Sequence, residues 1–303
     1  MRLACFEHRG RTGLAAVVAD EIVDLTGIDG GWTLRDAITG CRNPVLPREA
    51  RKIPVDKVRL LPPLISEGRN FWVGANYRTL RNIHDGTTPG GNHPSLFQRT
   101  AQSLVGHGGS IERPRTSRQL DYEGEIVIVI GKGGRHIAEA DALDHIAGLT
   151  IANDGSVRDY MDHGRNVTAG KNFDASGAIG PWIVTCDELD PRRDLTIETR
   201  VNGELRQSDN TANLRFSFAQ LIAYISSFTC LLPGDMIATG SPQGAGGGPF
   251  GATPPRWLEP GDLIEIQVTG IGTLRNHVVV EGALPGGGDA DSVEVRIEGE
   301  RGS

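Results

Sequence analysis

Two glutamates enter an otherwise apolar strand in the segment LDYEGEIVIVI, which spans residues 120–130. Side chains two residues apart on a strand point to the same face, so Glu123 and Glu125 aim at one place with only Gly124 between them. Like charges at this spacing repel each other, and burial makes the charged forms more costly. A positive charge is therefore required nearby, and either a basic side chain or a bound cation would supply it.

A third carboxylate follows the next apolar run, because residues 146–152 lead directly into Asn153 and Asp154. Strands that are consecutive in sequence often pair, so we expect Asp154 beside the two glutamates. Three carboxylates at strand ends would form a site of oxygen ligands, which favours Mg²⁺ first and then Mn²⁺ or Ca²⁺. The alternative is that Asp154 begins a turn and that the glutamates are solvated where the strand begins.

Short strands dominate the chain that must position these carboxylates. Residues 201–204, VNGE, carry the Asn-Gly pair that is the strongest short signal for a β-hairpin. One clear helix is predicted over residues 216–228, where Phe218, Leu221, Ile222 and Ile225 follow helical spacing. Many strands with few helices predict a mostly β, α+β fold and not a doubly wound sheet.

The domain organisation is predicted from the position of the proline pair at residues 62–63. Proline restricts the residue before it to extended conformations, so the pair marks a boundary. We predict a small N-terminal domain over residues 1–62 and a larger domain over residues 63–285. The glycine-rich and charged residues 286–303 are predicted to form a loosely ordered tail.

Composition argues against several classes of function. The chain has 303 residues with 31 basic and 38 acidic side chains, a formal net charge of −7, and no basic tract. This argues against binding to nucleic acid or to an anionic membrane surface. We expect a cytoplasmic protein, because no apolar run resembles a signal peptide or a membrane span. The four cysteines form no CxxC pair, so a thiolate zinc site is not expected.

Six segments of the chain, in order, resemble the fumarylacetoacetate hydrolase family, over about residues 65–285. They are LDYEGEIVIVIGKGGRHI, IANDGSVRD, AGKNFDASGAIGPW, VNGELRQSDNT, LLPGDMIATGSPQGAG and PPRWLEPGDLIEIQVTGIGTLRNHVV. The resemblance implies a mixed β-sandwich roll around a divalent metal, usually in a homodimer. It also places Glu123, Glu125 and Asp154 on the family's metal ligands. Substrates of the family are small 2-oxo acids with a second carbonyl, such as acylpyruvates.

The resemblance also assigns two basic residues to the site. Lys171, in AGKNFD, matches the family's active-site lysine, whose ammonium group would hold a developing oxyanion or donate a proton. The alternative is a surface lysine, although Gly170 and Asn172 are not typical of a helix face. Arg158 matches an arginine whose planar fork suits a substrate carboxylate. Its alternative role is a salt bridge to a neighbouring acid.

Three further residues are expected to line the substrate pocket by the same resemblance. Gly240 and Ser241 lie in TGSPQG, a turn whose backbone N–H groups would face the pocket, and Ser241 stands where the family usually has threonine. A purely structural turn is the alternative. Tyr77, in GANY, matches the family's motif at the pocket entrance, and a packed aromatic side chain is equally compatible with the sequence.

The chain departs from the family where hydrolysis needs an activated water. Leu80 and Ile83 stand where family hydrolases commonly place a His–Glu pair. The adjacent His84 is either a displaced general base or an exposed loop histidine. Arg99 replaces a frequent lysine and Met161 replaces a frequent substrate-contacting glutamine, so the metal ligands are kept while the organic half of the pocket changes.

These departures leave three functional hypotheses. The first is a metal-dependent hydrolase that cleaves a C–C bond of a diketo acid, such as an acylpyruvate, fumarylacetoacetate or fumarylpyruvate. The second is a metal-dependent decarboxylase or keto–enol tautomerase, which stabilises an enolate without an attacking water. The third is a non-catalytic family member that binds a ligand. The first is expected here because it is the commoner chemistry of the family.

Overall fold

Strands predominate over helices in the computed structural model, which describes residues 1–26, 32–39, 46, 50–63, 68–78, 92–164, 166–248 and 251–283. The strands are β1 (Arg2–His8), β2 (Arg11–Val18), β3 (Glu21–Asp24), β4 (Lys52–Pro54), β5 (Arg59–Leu61), β6 (Asn70–Gly74), β7 (Ser95–Gln98), β8 (Leu104–Val105), β9 (Ser110–Arg113), β10 (Leu120–Asp121), β11 (Gly124–Ile130), β12 (Ile146–Asn153), β13 (Ser156–Val157), β14 (Gly177–Thr185), β15 (Thr196–Val201), β16 (Glu204–Asn210), β17 (Met236–Ala238), β18 (Leu263–Val268) and β19 (Gly272–Val280). The α-helices are α1 (Leu34–Thr39), α2 (Arg158–Met161), α3 (Thr168–Lys171) and α4 (Phe218–Phe228), and short 3-10 helices lie at Val55–Lys57, Ala101–Ser103, Glu139–His145 and Thr211–Asn213. The predicted mostly β, α+β class is confirmed.

Two mixed sheets carry most of the strands within the described ranges. The larger sheet has twelve strands, ordered β4-β3-β2-β1-β14-β12-β11-β17-β6-β7, with β5 paired to β1 and β8 paired to β14. The smaller sheet has five strands in the order β16-β15-β18-β19-β9. Most pairs are antiparallel, and the parallel ones include β17–β6 and β19–β9. The short strands β10 and β13 pair separately beside the start of β11.

Strand β11 is buried on both of its faces, as its sequence predicts. Ile126, Ile128 and Ile130 belong to the core cluster shared with the five-stranded sheet and α4. Val127 and Val129 point the other way, into the cluster that the large sheet forms with α1 and the N-terminal strands. The strand therefore passes through the centre of the molecule, and its first residues bring the glutamates to the edge of both cores.

The hairpin and the helix predicted from sequence are both confirmed. Strands β15 and β16 are joined by Asn202 and Gly203, whose φ angles of 53° and 80° are those of a tight hairpin turn. Helix α4 begins at Phe218 and not at Phe216, because Ser217 caps it by accepting a hydrogen bond from the Gln220 backbone N–H.

Backbone pairing crosses the predicted domain boundary at residues 62–63. Strand β1 pairs with β14 through the register Arg2 to Val184 and Leu3 to Ile183, so the N-terminal strands continue the large sheet. The division into two domains remains a prediction, and the predicted tail lies outside the described residues. Among the residues described, the longest apolar helices fall short of what a membrane crossing requires.

Candidate metal centre

The antiparallel pairing of β11 with β12 brings the three carboxylates together. Gly124 lies opposite Asn153, and the Asp154 N–H donates to the Glu123 carbonyl oxygen at 2.8 Å. One carboxylate oxygen from each of Glu123, Glu125 and Asp154 lies within 4.8 Å of the others. The predicted convergence at the strand ends is confirmed.

Gly124 is required between the two glutamates because the second sheet touches the backbone there. A Cβ atom at this position would lie 2.3 Å from Thr199 Oγ1 and 3.1 Å from Ile266 Cγ2. The Gly124 N–H donates to Gln207 Oε1 at 3.0 Å, which ties the start of β11 to β16. The glutamates therefore point away from the five-stranded sheet, on the face opposite this contact.

Glu125 is the carboxylate whose charge has least local compensation. It is 1% exposed, and its hydrogen-bond partner within the described chain is the Gly240 N–H, at 2.8 Å from Oε2. Burial raises the pKa of Glu125 well above its usual value, and the neighbouring charges of Asp154 and Glu123 raise it further. A cation bound beside Glu125 would remove this penalty.

Glu123 has the opposite electrostatic environment. Burial by itself would raise its pKa, but Arg158 and Lys171 lower the pKa to about 2. Arg158 NH2 donates to Glu123 Oε1 at 2.5 Å, and Lys171 Nζ donates to Oε2 at 2.6 Å. Glu123 is thus held as a carboxylate with both oxygens fixed in place.

Lys171 lies between two of the three carboxylates. Besides Glu123, its ammonium group donates to Asp154 Oδ2 at 2.5 Å, and it lies 5.2 Å from the centre of the Phe97 ring. Its side chain is buried, so the surface alternative is wrong. Lys171 is the last residue of α3, so this segment is helical, which the flanking glycine and asparagine did not predict.

The donor set fits a hard divalent cation. The charged side chains that meet here are four acidic and three basic ones: Asp121, Glu123, Glu125, Asp154, Arg99, Arg158 and Lys171. One negative charge is therefore in excess, and it falls at Glu125, which is paired with a neutral amide. Oxygen ligands with excess negative charge suit Mg²⁺, Mn²⁺ or Ca²⁺ and do not distinguish among them.

A cavity of about 220 Å³ opens directly beside the carboxylates. Its described lining consists of Val73, Gly74, Ala75, Ser95, Phe97, Glu123, Glu125, Asp154, Arg158, Met161, Val167, Lys171, Ser241, Pro242, Ala245 and Gly247. The volume suits a small organic acid. Of the residues predicted to bind substrate, Arg158, Met161 and Ser241 line this cavity.

Three other predicted site residues lie elsewhere. Gly240 directs its N–H at Glu125, so it supports a ligand from the turn after β17. Tyr77 is 2% exposed and packs in the main core. Burial raises the pKa of Tyr77, and the charges of Asp209 and Glu125 raise it further. Arg99 lies behind Asp154 and is fully buried. His84, together with Leu80 and Ile83, lies outside the described residues.

Arg158 makes the salt bridges of one sequence-based alternative and also lines the cavity, while the predicted contact with a substrate carboxylate remains a prediction. Its Nε donates to Asp121 Oδ2 at 2.7 Å and its NH2 donates to Glu123, so it is salt-bridged. Burial opposes its charge, but Glu123 and Asp121 raise its pKa further above the usual value. The NH1 group contacts the Met161 sulfur at 3.6 Å on the cavity wall and keeps donor capacity for a ligand.

Asp121 and Gln207 are site-supporting residues that sequence analysis did not identify. Asp121 accepts hydrogen bonds from Arg158 and from the Gly246 N–H, at 2.6 Å, and so joins the guanidinium to the glycine-rich loop of the cavity wall. Gln207 Nε2 donates to Ser241 Oγ at 2.8 Å and fixes that hydroxyl. Both residues lie in segments that carry the family resemblance, and this position was the signal that could have identified them.

We expect a Gly240→Ala substitution to destabilise the protein by about 3 kcal/mol. Gly240 has a φ of +95°, and a Cβ atom would lie 2.7 Å from Asn76 Cβ, so the turn that presents its N–H to Glu125 must shift. The matched control is Gly261→Ala, with a φ of +99° and no atom within 4 Å of the added Cβ. The control should lower the free energy of unfolding, measured with denaturant, by about 1 kcal/mol. Equal losses would show that Gly240 is needed for its backbone angle alone.

Comparisons with known proteins place most of the chain in one enzyme family. The family profile described as fumarylacetoacetate (FAA) hydrolase C-terminal matches residues 69–279. The oxaloacetate tautomerase YisK of Bacillus subtilis (strain 168) is 38% identical over 228 residues, which cover 74% of this chain and 74% of that protein.

Solved structures agree with this placement. The fumarylacetoacetate hydrolase from psychrophilic Exiguobacterium antarcticum matches with a TM-score of 0.81 at 35% identity, covering 93% of this chain and 100% of that chain. The 5-carboxymethyl-2-hydroxymuconate delta-isomerase from Mycobacterium smegmatis matches with a TM-score of 0.76 at 30% identity, covering 93% of this chain and 100% of that chain. The mixed β-sandwich roll predicted from the sequence resemblance is confirmed.

Proposed function

The chain belongs to the fumarylacetoacetate hydrolase family, and from this premise we propose that it is a divalent-metal-dependent keto–enol tautomerase of a small 2-oxo acid, with oxaloacetate as the first substrate to test. The observation that carries the proposal is the position of Lys171. Its ammonium group lies on the cavity wall between two carboxylates of the triad, and the described lining of that cavity includes no histidine. A proton-transfer reaction uses the ammonium group and does not require a histidine that activates water.

Tautomerisation matches what these residues can do chemically. In the keto-to-enol direction, a C–H bond next to the 2-oxo group breaks and an O–H bond forms at the carbonyl oxygen, so no water is consumed. A divalent cation held by Glu123, Glu125 and Asp154 would polarise the carbonyl group. Lys171 stabilises the developing negative charge at that oxygen and donates an ammonium proton to it. The amine that remains on Lys171 takes up the proton released from the carbon, so the residue ends in its starting state.

Arg158 is proposed to hold the substrate's carboxylate. Its Nε and NH2 groups are committed to Asp121 and Glu123, which fixes the plane of the guanidinium. The NH1 group points along the cavity wall at Met161 and offers its N–H donors to an anion. Orientation by a fixed guanidinium places the reacting carbon relative to Lys171 without help from a mobile side chain.

C–C bond hydrolysis is the second candidate, favoured by the likeness to the solved fumarylacetoacetate hydrolase. Hydrolysis would use the same carboxylates and Lys171, and it would also need a base that activates water. His84 is the proposed base in that case, because Leu80 and Ile83 cannot accept a proton. Breaking a C–C bond with water makes two smaller products, whereas tautomerisation makes a single isomer of the substrate, so the two reactions are separable by assay.

The test is a stopped-flow assay of the enol absorbance of oxaloacetate. With Mg²⁺ or Mn²⁺ present, we expect the purified protein to accelerate the approach to the keto–enol equilibrium without changing its position. Free divalent ions promote the same reaction, so the background is a protein-free sample at the same metal concentration. Prior removal of the metal with a chelator should abolish the acceleration, and added Mg²⁺ should restore it.

The assay also decides between the candidates. Equimolar release of pyruvate from an acylpyruvate, with no effect on oxaloacetate enol absorbance, would reject the tautomerase and support the hydrolase. Release of CO₂ from oxaloacetate would indicate a decarboxylase. The absence of all three activities in a protein that retains its metal would support a ligand-binding role.

A further inference from the structure

Every hydrogen-bond donor of the Arg99 side chain is occupied. A guanidinium group carries five N–H bonds. NH1 donates to Asp154 Oδ1 at 2.7 Å and to the Gly155 carbonyl at 2.8 Å. NH2 donates to Ser176 Oγ at 2.8 Å and to the Ser103 carbonyl at 3.4 Å, and Nε donates to Ser103 Oγ at 3.1 Å. With 0% exposure of its side chain, Arg99 has no donor left for a substrate.

The space around Arg99 is shaped for a guanidinium group. A Cβ atom at Gly177 would lie 2.8 Å from Arg99 NH2 and 2.9 Å from Cζ, so glycine is needed there. The Cζ atom lies 5.4 Å from the centre of the Trp72 ring, which stabilises the cation. A lysine has three donors on a flexible stem and cannot satisfy the same five acceptors.

The two arginines at the site therefore differ in what they can bind. Arg158 uses Nε and NH2 for carboxylates and directs NH1 at the cavity wall beside Met161. Arg99 gives all of its donors to the protein, and one of its acceptors is the carboxylate of Asp154. Lys171 holds the other oxygen of that carboxylate at 2.5 Å.

We infer that Arg99 is a positioning residue for Asp154 and not a substrate contact. The planar guanidinium bridges Asp154 Oδ1, the Gly155 carbonyl and Ser176, and so fixes the rotation of the Asp154 carboxylate. The inference rests on the proposed metal role of Asp154. It replaces the sequence-based expectation that Arg99 lies in the substrate-binding half of the pocket.

The test is an Arg99→Lys variant, which keeps the positive charge and loses the fork. We expect its Kd for Mn²⁺, measured by calorimetry and by the EPR signal of free Mn²⁺, to rise by about 10–100-fold, as when other outer supports of metal ligands are removed. At saturating Mn²⁺ the KM for oxaloacetate should equal that of the parent. Arg69→Lys is the matched control, because Arg69 pairs with Asp235 at 2.5 Å and not with the carboxylate triad, and its Mn²⁺ affinity should be unchanged.

Two results would overturn the inference. The first is a raised KM at saturating metal with unchanged Mn²⁺ affinity, which would make Arg99 a substrate contact. The second is no change in either the KM or the Kd for Mn²⁺. If Arg99→Lys does not fold, Ser176→Ala keeps the arginine and removes one acceptor, and it should weaken Mn²⁺ binding about fivefold. Unchanged Mn²⁺ affinity in Ser176→Ala would then overturn the inference. If the parent binds no Mn²⁺, the proposed function fails as well, whereas failure of the inference alone leaves metal binding by the parent intact.

Discussion

A Glu125→Gln variant is expected to lose its divalent cation and about 10³-fold of its turnover. The substitution removes one of three carboxylate ligands, and the polarisation supplied by a bound metal contributes several kcal/mol to such reactions. Glutamine has the same shape, and its side-chain oxygen still accepts the Gly240 N–H bond. The loss should therefore appear in metal content by elemental analysis and in the Mn²⁺ titration, not in the fold.

The metal-free form of this variant gives an independent check. The pKa of Glu125 is raised in the folded protein by burial first and then by Asp154 and Glu123, so its ionised form opposes folding at neutral pH. A neutral glutamine removes that opposition. Denaturant unfolding at pH 7 without metal should show the variant at least as stable as the parent.

The control for Glu125→Gln is Glu139→Gln, which changes an exposed glutamate of the same charge outside the site. It should bind metal and turn over substrate at the parent's level. Parent-level metal affinity in Glu125→Gln would contradict the assignment of the triad, and with it the proposed chemistry.

The parts of the site that sequence predicted are those determined by local pattern. The two-residue period of a strand places Glu123 and Glu125 on one face, and the adjacent β12 brings Asp154 to them. These relationships depend on neighbouring strands and on the two-residue period of a strand, both of which can be predicted from the sequence.

The parts that sequence missed depend on contacts between distant segments. The acceptors of Arg99 come from residues up to 77 positions away in the chain. The Asp121 carboxylate bridges Arg158 and a loop more than 120 residues later. Resemblance identified Arg99 and Arg158 as basic residues near the site, but only the complete donor count shows which of them can still bind an anion.

A Lys171→Met variant is expected to lose about 10²-fold or more in kcat, as when a group that stabilises a developing oxyanion is removed. Its metal affinity should be equal to that of the parent or higher. The Lys171 ammonium donates to Glu123 Oε2 and Asp154 Oδ2, so its removal frees two ligand oxygens and leaves more negative charge for the cation. Turnover should thus fall while Mn²⁺ affinity stays at the parent's value or rises.

The same substitution should make stability depend on metal. Without a cation, Glu123 and Asp154 lose the buried ammonium that pairs with them, and breaking such a pair costs about 3 kcal/mol. Saturating Mn²⁺ binds only the folded form and should recover most of that loss. Lys132→Met, at an exposed lysine, is the control and should change neither stability nor turnover.

The combined pattern distinguishes Lys171 from a ligand and from a purely structural residue. A residue that only held the fold would lower stability with and without metal and leave kcat near the parent's value in the folded fraction. A residue needed for metal binding would behave as Glu125→Gln does. Low kcat together with retained Mn²⁺ binding and metal-restored stability is expected only if the ammonium acts on the bound substrate. An unchanged kcat at saturating metal would remove Lys171 from the chemistry and leave the tautomerase proposal without its proton-transfer group.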